Sequence, residues 1–278
     1  MLDSVQTIEG YAEAGNGLRV YYVTQGAGTP VIFVHGSAPG ATAVSNFRDN
    51  MPVFAAAGYK AVGIDLFGYG KSSKPEDRDY TLELQITALK AVVDALGADR
   101  VVLVGNSLGG AVSMRFTLEY PDKVEKLVLL APGGLGSKFR YLRMPGIRSM
   151  MWSLLGPGGP TAEKLRRTFL LQFYDKSLLS DALVQERLAV AKTQPRQVLA
   201  KLKIANLLPR LHEIKCPVMA FWGVDDNFCP VETAPLLARG IPDCRVLLLA
   251  RCGHWAQVEH RDRFNQEALR FLNEDASR

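Results

Sequence analysis

Short apolar runs separated by longer amphipathic stretches set the rhythm of the first half of the chain. Val31-Ile32-Phe33-Val34, Lys60 to Ile64, Val101-Val102-Leu103-Val104 and Val124 to Leu130 are almost continuously apolar. That is the pattern of strands buried on both faces. Between them, Phe47 to Ala57 and Thr81 to Leu96 repeat apolar residues at helical spacing and close at Gly58 and Gly97, residues suited to a C-cap. Ala111 to Tyr120 continues the alternation as a helix. Ahead of these, Thr7 to Val23 alternates around Gly15-Asn16-Gly17, which predicts an antiparallel hairpin. Strands alternating with helices predict a doubly wound, mostly parallel α/β sheet. Such a sheet binds ligands beyond the C-terminal strand ends, where His35, Asp65 and Ser107 emerge.

The rhythm breaks between Ala131 and Leu208. Glycine and proline clusters there punctuate four segments of helical character: Arg140 to Leu155, Ala162 to Tyr174, Leu178 to Lys192 and Pro195 to Leu207. They predict a helical cap inserted over 136–208, with 1–135 and 209–278 forming the α/β core. Strands resume at Val218 to Trp222 and Arg245 to Leu249, and Asp262 to Leu272 reads as the last helix.

Composition changes this picture little. Of 278 residues, 47% are hydrophobic and 22% charged, enough for one elaborated domain. Met1 to Gly10 lacks the basic-then-apolar pattern of a secretory leader, and no apolar run reaches membrane-spanning length. The four cysteines (Cys216, Cys229, Cys244, Cys252) form no Cys-x-x-Cys pair, so reduced thiols in the cytoplasm are expected, with no metal or cofactor. Charge is uneven: residues 136–208 carry a net +9 and the remainder −4. A basic segment suits an anionic small molecule; without aromatics interleaved in a basic stripe, nucleic acid and membrane are poor partners. An edge strand or surface helix leaves room for a homodimer.

The chemistry centres on Gly105-Asn106-Ser107-Leu108-Gly109-Gly110, between a strand and a helix. Gly-x-Ser-x-Gly in that context places a serine on a sharp turn, where flanking glycines let strand and helix approach. The turn lifts the hydroxyl above the sheet and aims the Leu108 N–H at a developing oxyanion. A serine hydroxyl needs a base, itself oriented by a third group. His212 and His260 read as structural residues, and His35 as a brace within its glycine-rich loop. His254, in the loop after the last strand, returns to the rim that holds Ser107 and is the expected base. The preceding loop, Trp222-Gly223-Val224-Asp225-Asp226, supplies two candidate acids, one for the histidine and one for the turn. The order Ser, Asp, His is that of α/β-hydrolases.

With these residues placed, the chain resembles an α/β-hydrolase, and within that fold the meta-cleavage product hydrolases, which break carbon–carbon bonds in ring-opened aromatic catabolites. The resemblance runs through His35-Gly36-Ser37-Ala38-Pro39-Gly40-Ala41 with Asn46, Gly-Asn-Ser-x-Gly-Gly at the elbow, and Cys252-Gly253-His254-Trp255-Ala256-Gln257. It implies Ser107 as nucleophile, His254 as base and Asp226 as acid, since Asn227-Phe228-Cys229-Pro230 follows Asp226 as in the family. It implies an oxyanion hole from the N–H of Leu108 with that of Ser37 or Ala38. It further implies Arg187 on the substrate carboxylate, and Asn46, Asn106, Trp255 and, as a weaker match, Ser177 around a dienoate.

The implied reaction is hydrolysis of 2-hydroxy-6-oxo-hexa-2,4-dienoates, with an arginine favouring the charge that builds at the carboxylate end. Against that role, Arg187 also reads as a cap-helix ion pair with Asp181 or Glu186. Four positions depart from the family: Ala38 stands for Gly, Val44 for an aromatic, Val224 for Arg and Val258 for Trp. They point to a narrowed space at Ala38 and a reshaped pocket elsewhere. A carboxylesterase or thioesterase with the same triad is the nearest rival, and a ligand-binding signalling module the more distant one.

Overall fold

The computed structural model describes residues 6–274, so Met1 to Val5, half of the stretch read for a leader, lie outside it. Eight strands form one sheet: β1 (Ile8–Glu13), β2 (Arg19–Gln25), β3 (Pro30–Val34), β4 (Lys60–Ile64), β5 (Val101–Asn106), β6 (Val124–Leu130), β7 (Val218–Gly223) and β8 (Cys244–Leu249). Their order is β1-β2-β4-β3-β5-β6-β7-β8. β1 pairs antiparallel with β2 and β2 antiparallel with β4; every later pairing is parallel. The hairpin turns through Gly15, Asn16 and Gly17, all at positive φ.

Each residue of β5 and β7 is buried, as helices on both faces require. One face packs Val34, Leu103, Leu127 and Trp222 under helices α1 (Leu82–Ala95) and α2 (Leu108–Glu119). The other face packs Phe33, Val104, Val128 and Phe221 against Phe54, Phe264 and Phe271. Helix α1 begins at Thr81, whose hydroxyl accepts the Leu84 N–H, and Gly97 follows it at φ +61°.

Between β6 and β7 the chain leaves the sheet for α3 (Pro145–Leu155), α4 (Ala162–Leu170) and α5 (Asp181–Ala191), preceded by a single turn at Lys138–Leu142. Leu165, Phe169, Phe173 and Val184 make a small core of their own, closed by Trp255. Thr161 and Ser180 cap α4 and α5 with their hydroxyls.

Several sequence-predicted helices are shorter than expected. Phe47 to Ala57 is two short helices, Ala43–Phe47 and Met51–Ala56, because Asn50 turns inward to bond the Gln257 carbonyl and Asn265. Pro145 restarts the segment expected to run from Arg140 to Leu155. The fourth expected helix, Pro195 to Leu207, has one turn at Gln197–Ala200. Leu202–Lys203 then pair in parallel with Tyr80–Thr81, a two-residue bridge. This join carries backbone hydrogen bonds that hydrophobic periodicity does not announce. Among the described residues no helix is long and apolar enough to cross a membrane.

Candidate active site

Ser107 sits between β5 and α2 at φ 54°, ψ −115°, a backbone conformation strained for any residue but glycine. Its glycine neighbours are there for space. A Cβ on Gly105 would lie 2.5 Å from the Gly109 carbonyl oxygen, and one on Gly109 would lie 2.0 Å from the Val34 oxygen. The elbow therefore presses strand and helix closer than any side chain allows.

The expected acid and base, Asp226 and His254, arrive from the ends of β7 and β8. Asp226 Oδ2 accepts from His254 Nδ1 at 2.8 Å, and both side chains are buried. Asp226 Oδ1 accepts the N–H groups of Phe228 at 2.7 Å and Cys229 at 3.0 Å, which fixes the carboxylate and, through it, the imidazole. The Phe228 ring stacks on the imidazole at 4.9 Å. Asp225 is exposed, and it is Asp226 that faces the histidine. Ser107 and His254 line one narrow cavity. Ser107 and the Cys229 thiol, whose ionisation burial pushes far up, line a second cavity together. Among the described residues no hydrogen bond joins the Ser107 hydroxyl to His254, whose Nδ1 is held by Asp226; catalytic hydrogen bonds are commonly long before substrate binds.

The loop after β3 is tied down from behind. His35 has no exposed surface; Nδ1 bonds the Gly36 carbonyl at 2.7 Å, and Nε2 accepts the Leu66 N–H at 3.0 Å. Burial pushes its pKa down to about 4, so it is a neutral brace. The Tyr69 hydroxyl donates to the Ser37 carbonyl, and Arg187 donates through Nε to Pro39 at 3.1 Å and Nη2 to Ala38 at 3.4 Å. A peptide's C=O and N–H point in opposite directions. The Ala38 N–H, expected at the oxyanion hole, therefore points away from the Ser37 carbonyl that Tyr69 holds. Leu108 opens α2, so its N–H has no intrahelical partner.

Arg187 itself has no exposed surface. Its guanidinium lies between the rings of Phe169 and Trp255, 5.2 Å and 5.4 Å from their centroids, and Nη1 donates to Ser45 at 3.1 Å. Neither expected ion pair forms: Asp181 meets Arg166, and Glu186 meets Arg48. Burial lowers its pKa to about 9, which leaves it charged at neutral pH. It is not among the residues that line the cavity shared by Ser107 and His254; it stands behind Trp255, which is.

Two cavities meet at Ser107. The first, about 10 Å³, is lined by Asn46, Asn106, Gln172, His254 and Trp255, with Ile147 and Met150 closing it from the cap side. The second, about 370 Å³, runs past Leu108 and Cys229 to Tyr141, Leu142, Leu199 and Ile204.

Most of the residues singled out from sequence come together here; Ser177 does not. It is exposed, and its hydroxyl donates to Asp175 at 2.7 Å, so it acts in a surface turn and not at the cavity. Val44 and Val224 are 41% and 48% exposed, so these two departures from the family pattern do not reshape the pocket. Ala38 does line it, beside Met150 and Phe228. Gln172 and Cys229 were not anticipated. Cys229 comes with the Asn227-Phe228-Cys229-Pro230 stretch that follows Asp226, whereas Gln172 stands in no recognisable motif and is brought to the serine by the path of the chain after α4.

A profile of the alpha/beta hydrolase fold family matches residues 29–261. A 2-hydroxy-6-oxononadienedioate/2-hydroxy-6-oxononatrienedioate hydrolase from Paraburkholderia phymatum is 39% identical, over 94% of this chain and 93% of that protein. A 2-hydroxy-6-oxo-6-phenylhexa-2,4-dienoate hydrolase from Burkholderia cepacia is 38% identical, over 91% of each. Among solved structures, a meta-cleavage product hydrolase from Pseudomonas fluorescens superposes with a TM-score of 0.83 at 26% identity, covering 95% of this chain and 98% of that one. Agreement over this much of the chain goes beyond shared architecture: the chain belongs to the alpha/beta hydrolase fold family, among the hydrolases of meta-cleavage products.

Proposed function

We propose that this protein hydrolyses a carbon–carbon bond in 2-hydroxy-6-oxo-hexa-2,4-dienoate-type ring-fission products, releasing 2-hydroxypenta-2,4-dienoate and a carboxylic acid. The observation that carries this reading is the buried, charged Arg187, which has no carboxylate partner among the described residues and packs on Trp255, a residue that lines the cavity with Asn46. A guanidinium without a counter-ion favours an anion at that end of the cavity.

In this reading Ser107 is the nucleophile, His254 the base and Asp226 the group that orients it. The carboxylate end of the dienoate lies toward Asn46, Asn106 and Arg187, while the C6 substituent occupies the apolar cavity. His254 moves the proton that converts the dienol to its keto form, and the C6 carbonyl carbon is attacked at Ser107. The N–H groups of Leu108 and of Ser37 or Ala38 receive the oxyanion; donors so placed are worth about 10²–10³ in rate each. Residues 136–208 act as a cap. Ile147 and Met150 withdraw on substrate binding, because the polar cavity at about 10 Å³ is too small for a dienoate.

A second reading, ester or thioester hydrolysis, draws support from the apolar cavity of about 370 Å³, which suits many acyl groups. Mixing the protein with coloured ring-cleavage products separates the two. Loss of the dienolate absorbance with equimolar carboxylic acid is the expected result. An unchanged spectrum beside rapid cleavage of a nitrophenyl ester would leave the esterase reading in its place.

A further inference from the structure

Gln172 is a buried polar side chain that the chemistry above leaves unused. It follows α4, and its backbone carbonyl accepts the His254 N–H at 2.7 Å. Gly253 packs on that same carbonyl so closely that a Cβ would lie 2.3 Å from the oxygen. Glu259 secures the join, accepting N–H groups from Gly253 at 2.6 Å, Tyr174 at 2.7 Å and Asp175 at 3.0 Å. The segment bearing Gln172 is thus held to the loop bearing the base.

Gln172 is 1% exposed and is among the residues lining the cavity shared by Ser107 and His254. Its Oε1 has no hydrogen-bond partner among the described residues. Burying an amide oxygen unpaired is destabilising, a cost that an apolar side chain of similar size would avoid. Asn106 Oδ1, in the same cavity, is also without a partner. A volume of about 10 Å³ is room for one water, and these two oxygens with the imidazole give it the polar partners it needs.

We propose that Gln172 is a positioning residue that holds the hydrolytic water against His254. The proposal rests on the reading that Ser107 becomes acylated. Once the first product has left, water donates one hydrogen to His254 Nε2 and the other to Gln172 Oε1, which aims its lone pair at the acyl carbon. The new C–O bond forms as the first proton passes to the imidazole. The tetrahedral oxyanion then collapses, the bond from carbon to Ser107 Oγ breaks, and the imidazolium returns its proton to Oγ. The carboxylic acid leaves and the serine is regenerated.

The test is the decay of acylated Ser107, followed by rapid quench and mass spectrometry after mixing with a short-chain nitrophenyl ester. In Gln172→Met the decay is expected to slow at least tenfold, with kcat and KM falling together and kcat/KM staying within threefold of the wild type. Nitrophenolate then appears as a burst equal to the active sites. A decay rate unchanged from the wild type, a loss of kcat/KM matching that of kcat, or no acylated serine in either protein would overturn the proposal. If Gln172→Met does not fold, Gln172→Asn, which withdraws the amide by one methylene, carries the same readout. Failure of the carbon–carbon reading is separately visible, as absence of dienolate bleaching by the wild type whatever its ester kinetics.

Discussion

On one side of Ser107 the cavity is narrow, lined by amides, an imidazole and an indole; on the other it is more than tenfold larger and mostly aliphatic. The small side is built from strand-end loops that are cross-tied in many places. His35, Tyr69 and Arg187 hold the loop after β3, and Glu259 and Gln172 hold the loop after β8. The large side is walled mainly by residues of the segment inserted between β6 and β7, which meet the core through apolar contacts and through the backbone bridge of Leu202–Lys203 to Tyr80–Thr81. A polar half cross-tied by side-chain hydrogen bonds beside a larger, mostly apolar half suits an enzyme whose chemistry is fixed and whose acyl group varies.

The largest effect is expected where the two halves meet. Ser107→Ala and His254→Ala should each lower kcat by about 10⁴-fold or more on dienoates and esters alike, because both substrate types use the same serine and base. Retained activity on either substrate in both variants would separate the chemistry from the elbow.

The cross-tying of the polar half has a pH signature. The folded pKa of His35, about 4, lies below the ordinary 6.5, so between those values the unfolded chain binds the proton and the folded one does not. Stability is complete above pH 6.5 and declines by about 3 kcal/mol as pH falls to 4. Urea midpoints at pH 7 and 4.5 check this: His35→Gln should lose less stability than the wild type over that interval. An equal loss would remove His35 from the brace.

Arg187→Gln should reduce kcat/KM on dienoates by about fiftyfold and on simple esters by about fivefold. The smaller loss on esters reflects the Ala38 and Pro39 carbonyls that the guanidinium holds. Equal losses on both would make Arg187 only a brace. Filling the apolar half is milder. Leu199→Trp should cost about tenfold in kcat/KM for substrates with a bulky C6 group and about twofold for a methyl group there. A uniform loss would mean that the large cavity does not hold the acyl side.

Much of this was legible in the sequence, for physical reasons that also mark where reading failed. Buried parallel strands are continuous apolar runs, so β3, β4, β5 and β6 announce themselves. The C-terminal end of β5 carries the elbow, which marks Ser107, while His254 is marked by its place in the loop after β8, the last strand. Asp226 needed the spacing to Phe228 and Pro230, since Asp225 offers the same carboxylate one residue away. The cap was harder. Its helices are short and interrupted by Pro145 and by the bridge at Leu202–Lys203, whose hydrogen bonds lie far off in sequence. Ser177 matched by position yet lies on the surface, because the turn at Lys176–Leu178 carries its hydroxyl to Asp175. Gln172 could not be found by pattern, since its place depends on a main-chain contact with His254.

The most direct measurement is the ratio of kcat/KM for a 2-hydroxy-6-oxo-dienoate to that for a nitrophenyl ester of the same acyl group. Both present one acyl carbon to Ser107 and one substituent to the apolar cavity; only the dienoate reaches the polar half. A ratio of about 10³ or more is expected. A ratio near one, or an ester cleaved faster, would contradict the claim that the polar cavity and its unpaired arginine select the substrate.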